Sequence, residues 1–176
     1  MRLVVKTLGA IVLFTALSVP SPAWALDHLV LGGDLSYAHE FVGDGHPGGG
    51  AGLHVWYSFY DWVAVGGKLA WAGHAAPGAD GEDALRNVIT AAAGMYFILD
   101  IIRVVPYIGF LPGVAISIQD ETEIDYLLDI CAGLDVLINA RLTAGVELAY
   151  QLLVGDDVLP ARLVASVRFS WRHIIF

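Results

Sequence analysis

The sequence predicts an all-β fold, an eight-stranded antiparallel transmembrane up-and-down β-barrel, on three observations. Hydropathy is high, with 57% hydrophobic residues and a mean hydropathy of +0.66. Yet only one uncharged run, Thr7 to Leu26, approaches the roughly 20 residues that a membrane-crossing helix needs. Past residue 26, apolar residues instead recur at every second position, the period of a strand whose two faces meet different media. Short and long connections alternate between these segments, as in a barrel with tight turns at one rim and longer loops at the other.

The leader comes first in the chain. Arg2 and Lys6, an apolar stretch from Leu8 to Leu17, the helix breakers Pro20 and Pro22, and then Ala23-Trp24-Ala25 read as a secretory signal peptide over residues 1–25. Ala23 and Ala25 are the small residues expected at its cleavage site. Residues 26–176 are then expected to form one barrel domain. Loss of Arg2 and Lys6 leaves seven bases against eighteen acids, moving the net charge from -9 to -11. That balance, with no basic stripe, excludes a general nucleic-acid binder. The lone Cys131 offers neither a disulfide nor a paired-cysteine metal or redox site, and is expected to be a small packing residue.

The strands follow in order. Leu31, Leu35, Tyr37 and Phe41 oppose Asp34, Ser36 and Glu40 on the first, Leu29 to Phe41. Leu53, Val55, Tyr57 and Phe59 oppose His54, Trp56 and Ser58 on the second. After Asp61-Trp62, Val63, Val65, Leu69 and Trp71 oppose Ala64, Gly66, Lys68 and Ala70. The fourth and fifth, Arg86 to Leu99 and Arg103 to Ile118, are apolar on both faces, so their outward face stays open at this stage. In the sixth, the set Tyr126 to Ile138 at even positions opposes Asp129, Cys131, Gly133, Asp135 and Asn139. The seventh sets Leu142, Val146, Leu148 and Tyr150 against Thr143, Gly145, Glu147 and Gln151. The last sets Leu163, Val167, Phe169 and Trp171 against Arg162, Ser166, Arg168, Ser170 and Arg172.

Short turns are expected near 60–62, 99–103 and 139–141, and long loops near Val42 to Gly50, Gly73 to Ala84, Ser117 to Asp125 and Gln151 to Pro160. Those loops hold ten of the eighteen acids and no Lys or Arg. Aromatic residues gather at both strand ends, Phe59, Tyr60, Trp62, Phe97, Tyr107, Phe169 and Trp171 toward the turns and Tyr37, Phe41, Trp71, Tyr126 and Tyr150 toward the loops, as interfacial girdles require. A soluble lipocalin-like barrel needs a polar exterior, for which the last three strands have too few polar positions. A helical hairpin over Asn87 to Ile118 would meet Asp100, Arg103, Pro106 and Pro112 and leave no other spans.

On this register the interior charges balance: Asp34, Glu40, Asp129, Asp135 and Glu147 against Lys68, Arg86, Arg162, Arg168 and Arg172. Asp34, Lys68, Asp135, Glu147 and Arg168 fall at similar depth and form the expected lumen ion-pair network, with Arg168 in reach of Asp34 or Glu147. An eight-stranded barrel is only wide enough for side chains to fill, so the network is expected to be a structural plug; a narrow pathway gated by exchanging ion pairs is the alternative. Catalysis is not expected. His54 and Ser58 are four apart on one face, roughly 13 Å and beyond hydrogen-bond reach, while Ser36 and His39 point to opposite faces. The segment Asp120-Glu121-Thr122-Glu123 with Asp125 is rich in oxygen ligands, but lacks the spacing of a dedicated calcium site and is expected to be a solvated acidic loop. His46 and His74 are expected in loops. No metal and no cofactor is expected.

The signal peptide, the stretch Pro106-Tyr107-Ile108-Gly109 and the terminal Phe176 together resemble the small eight-stranded outer-membrane β-barrels of Gram-negative bacteria, of the OmpA-like and OmpW-like kind, over the whole of residues 26–176. The resemblance implies location in the cell outer membrane after export through the periplasm, and a structural or surface-interaction role. It also implies contact with outer-membrane lipid and lipopolysaccharide, and insertion by the outer-membrane assembly machinery. The chain is expected to be a monomer without a peptidoglycan-binding domain. OmpW-like relatives imply a second role, a narrow channel for small polar or hydrophobic solutes. Lipid A-modifying barrels imply a third, but their His-x-Ser motif is not found here. Phe176 is out of register with Val167, Phe169 and Trp171, which calls for a bulge or for an overhang of Arg172 to Phe176.

Overall fold

The computed structural model describes residues 27–41, 47–77, 83–99, 103–119, 122–154 and 161–175; the expected cleavage site at Ala23 and Ala25 lies outside them. Eight strands follow one another: β1 (Asp27–Glu40), β2 (Pro47–Tyr60), β3 (Val63–Pro77), β4 (Asp83–Ile98), β5 (Val104–Ile118), β6 (Thr122–Leu137), β7 (Leu142–Val154) and β8 (Ala161–Ile175). Each pairs antiparallel with its neighbour in sequence, and β1 pairs with β8, so the sheet closes and has no edge. Backbone polar groups thereby find partners within the wall, the condition for crossing lipid.

The period-2 pattern decides which way each face turns. Large apolar residues such as Leu35, Leu53, Leu69, Ile108, Val146 and Phe169 stand exposed on the outside, while the alternate positions turn inward. The inward residues assigned above on β1 to β3 and β6 to β8 face the lumen, except Asn139, which lies beyond the end of β6, exposed in the turn where the ladder has stopped. On β4 and β5, where both faces are apolar, closure selects Arg86, Val88, Thr90, Ala92 and Tyr96, and then Val105, Tyr107, Leu111, Ala115 and Ser117, as the inner sets. Tyr107 therefore does not belong to the turn-side girdle. The girdle positions Trp62, Phe97, Phe169 and Trp171 at that rim are exposed, as are Tyr37, Phe41, Trp71, Tyr126 and Tyr150 at the other.

The strands run further toward the loop rim than the hydrophobic alternation does. β2 starts at Pro47, β3 ends at Pro77 and β6 starts at Thr122, so Asp83, Glu123 and Asp125 lie on strands and not in loops. Beyond the hydrocarbon both faces of a strand meet water, so the apolar signal stops while the hydrogen-bonded ladder continues. The β5–β6 connection shrinks to residues 119–121, and the contrast between long loops and short turns is smaller than expected. A bulge between Ser58 and Tyr60 leads into the Asp61-Trp62 turn. Pairing of β4 with β5 is interrupted around Pro112, which has no N–H to donate.

β8 contains no bulge. Its pairing with β7 ends at Trp171, whereas Arg172 to Ile175 continue in unbroken register against β1 as far as Asp27. The last strand thus overhangs β7 alone, the backbone N–H of Arg172 donating to the carbonyl of Arg141 (2.7 Å). Phe176 lies outside the described residues.

Candidate functional site in the barrel lumen

Small and large inner residues alternate around the wall, which lets eight strands close over bulky polar side chains. Gly133 is the clearest case: a Cβ there would collide with the ring and hydroxyl of Tyr107, its cross-strand partner. At Gly52 a Cβ would stand 2.9 Å from both carboxylate oxygens of Asp34. These gaps admit a set of charges to the centre that the lumen would otherwise exclude.

Glu147 on β7 is the hub. Its carboxylate accepts from Lys68 on β3, from Arg168 on β8 and from the Tyr107 hydroxyl on β5 (2.9 Å). Tyr107 in turn accepts from Arg168. Lys68 also faces Asp129 (3.6 Å), whose Oδ2 accepts from Gln151 Nε2 (2.8 Å), and Gln151 Oε1 accepts from Arg162. Nearer the loops Arg86 pairs with Glu40. The polar side chains form one connected line from Arg162 to Arg168. Lys68, Asp129, Glu147 and Arg168 are tolerated in such a place because each finds an opposite charge within reach.

The Arg168 guanidinium, 1% exposed, lies over the faces of Trp56 (4.8 Å) and Tyr107 (4.9 Å). Trp56, Tyr96 and Tyr107 meet one another edge to face, with centroids 4.8 to 6.1 Å apart. A planar cation held by ring faces and a carboxylate is fixed in both position and orientation. Below it, toward the turns, a cavity of about 40 Å³ remains among Val30, Trp56, Asp135, Thr143 and Arg172. That is room for a few water molecules.

Of the five residues expected to form the network, Lys68, Glu147 and Arg168 come together in direct ion pairs. Asp34 does not bond Arg168, although the two are cross-strand partners; its carboxylate turns instead to His54 Nδ1 (3.6 Å). Asp135, buried beyond Gly145, makes none of the ion pairs among the described residues. Sequence reasoning placed Trp56 inward with Arg168 as a candidate to occlude the lumen, and missed Tyr107 and Asp129 as partners. Asp129 was assigned inward, and its depth beside Lys68 emerges only when the stagger of all eight strands is known.

His54 was considered with Ser58, but its Nε2 meets Ser170 Oγ (2.8 Å), reaching across Gly32 on the intervening β1. Asp34, His54 and Ser170 therefore reproduce the order of an acid, a base and a hydroxyl used in acyl transfer. Ser170 is 2% exposed. His74, expected in a loop, lies on β3 and is buried, packed into the space that Gly48 leaves. Cys131 is buried beside Gly109. Among the described residues no group of three or more His, Cys, Asp or Glu is arranged to hold a metal ion.

Neither a family model nor a curated protein sequence matches the chain. Solved structures do. The outer membrane protein OprG of Pseudomonas aeruginosa is similar at a TM-score of 0.61 and 13% identity, over 86% of this chain and 97% of that one. Ail, the attachment invasion locus protein of Yersinia pestis, is similar at 0.55 and 16% identity, over 85% and 99%. The outer membrane enzyme PagL is similar at 0.50 and 16% identity, over 78% and 97%. The fold is that of the eight-stranded outer-membrane barrels; identities this low speak to architecture alone.

Proposed function

We propose that the chain is an integral outer-membrane protein, reached by export through the periplasm, whose barrel is a closed anchor and whose role is structural or surface-interacting, without catalysis. One observation carries this: the lumen is filled at mid-depth by Arg168, its two ring faces and the Glu147 hub. Function then falls to the outer rim, where the acidic loops collect. Divalent cations would bridge these carboxylates to lipopolysaccharide phosphates. Outer-membrane lipid and, during insertion, the assembly machinery are the other partners, and the barrel acts as a monomer.

Asp34, His54 and Ser170 serve as a structural polar group on this reading. The test is conductance in planar bilayers. A closed anchor gives negligible conductance both as wild type and as Arg168→Ala. A second reading, a gated narrow channel, is favoured by Asp135, which is buried with Oδ1 accepting no hydrogen bond one strand away from Arg168. If Arg168 exchanges Glu147 for Asp135, Arg168→Ala changes conductance, and the closed-anchor reading falls.

A further inference from the structure

The turn rim mixes both signs of charge, with Asp27, Asp61, Asp100 and Asp135 beside three arginines. Arg103, Arg141 and Arg172, three of only nine bases in the sequence, gather there. The acids among the described residues at this end are Asp27 at the start of β1, Asp61, exposed on the β2–β3 turn, and the buried Asp135.

A pocket of about 360 Å³ opens at this rim, lined by His28, Arg103, Leu137, Ile138, Asn139, Ala140 and Arg172, with no carboxylate among them. Its size is at the lower end of the roughly 300–1,000 Å³ of small-molecule sites. The lining is held by the backbone. Leu137 N–H donates to the Arg103 carbonyl (2.9 Å), tying the β4–β5 turn to the end of β6. Asn139 Oδ1 accepts from the N–H groups of Arg141 (2.8 Å) and Leu142 (3.0 Å), so its amide NH₂ remains a donor. Arg172 Nη2 lies 2.9 Å from His28 Nε2, which orients the guanidinium at the mouth of the lumen. Two arginines and an asparagine line the pocket, and guanidinium forks match the oxygens of a phosphate.

Depth and polarity narrow the ligand. The exposed aromatics Trp62, Phe97 and Trp171 mark the lipid headgroup level at this rim, and Arg141 sits over the Trp171 ring (6.0 Å). One wall of the pocket is apolar, with Leu137 and the exposed Ile138 beside the donors. We propose that this pocket binds the phosphate of an anionic phospholipid, whose glycerol and first acyl carbons lie against Leu137 and Ile138. A zwitterionic choline headgroup carries its own cation into the same arginines and binds more weakly.

The test is native mass spectrometry of the protein in a non-ionic detergent, with dihexanoyl phosphatidylglycerol, dihexanoyl phosphatidylcholine or inorganic phosphate added in turn. Wild type retains phosphatidylglycerol in preference to phosphatidylcholine. Arg103→Gln with Arg172→Gln weakens that retention about tenfold, about 1.4 kcal/mol. Arg103→Gln alone, on an exposed turn, gives a partial loss without disturbing the wall. Arg141→Gln, which removes the same charge outside the pocket, leaves retention within about twofold. Inorganic phosphate that displaces the lipid and is itself lost in the double variant upholds the phosphate site but makes its source soluble. Equal retention of the two lipids, unchanged retention in the double variant, or an equal loss in Arg141→Gln would overturn the proposal.

Discussion

Glu147→Gln removes one negative charge from the middle of the lumen and leaves the side-chain shape intact. The wild-type carboxylate serves three donors, Lys68, Arg168 and Tyr107, in a place where Glu147 is only 5% exposed. An amide accepts on one side only and turns an NH₂ toward a cation on the other. The loss is not complete, because Lys68 keeps Asp129 at 3.6 Å and Arg168 keeps its two ring faces at 4.8 and 4.9 Å. Removing one partner of a buried pair costs about 3–5 kcal/mol, and the surviving partners put this variant near the lower end, about 3 kcal/mol. Urea unfolding of the barrel refolded into phosphatidylcholine vesicles, followed by tryptophan fluorescence, measures it. Adding Arg168→Met takes away the stranded cation, so the double variant is expected to fall short of the summed single costs by about 2 kcal/mol. A loss under about 1 kcal/mol, no larger than that of Glu123→Gln at the exposed rim, together with additive costs, would refute a desolvated hub and make the lumen pairs equivalent to surface ones.

Three further outcomes are expected. Gly133→Ala drives a Cβ into the Tyr107 ring and should lower stability by about 1–3 kcal/mol, whereas Gly49→Ala, whose nearest neighbour is the Ser36 carbonyl at 3.8 Å, should be tolerated; unfolding midpoints compare the two. On the lipid face, Leu69→Arg near the middle of β3 should cost about 2–4 kcal/mol and Leu85→Arg at the start of β4 about 0–1 kcal/mol, and equal costs in vesicles would contradict the transmembrane placement. A fluorophosphonate probe should fail to label Ser170 in the folded barrel; labelling that disappears in Ser170→Ala and His54→Ala would make Asp34, His54 and Ser170 an active site.

Much of the wall was legible residue by residue. Wherever a strand pairs an apolar face with a polar one, as with Leu142 to Tyr150 against Thr143 to Gln151, the alternation alone assigned inside and outside correctly. It failed where both faces are apolar. On β5, Val105, Tyr107, Leu111 and Ala115 are as hydrophobic as Val104, Ile108, Phe110 and Val114, so Tyr107 passed for a girdle residue. It failed again at the loop rim, where His74 lies on a strand that continues beyond the apolar pattern. The lumen was half legible: inward charges could be named, but not paired. Arg168 is directly opposite Asp34 across β1 and β8, yet bonds Glu147 on its other side, while Asp34 turns to His54.

The chain's composition and period-2 pattern settle the strand number, the antiparallel order and the sign of each face wherever the two faces differ, because these follow from local chemistry: a residue meets lipid or it does not. Which charge holds which was decided by closure. Only when β8 returns to β1 does the stagger of the ladder bring Lys68, Tyr107, Glu147 and Arg168, from four different strands, to one depth. Contacts between residues up to 79 positions apart in the hub, and 116 apart for His54 and Ser170, leave no trace in any local segment.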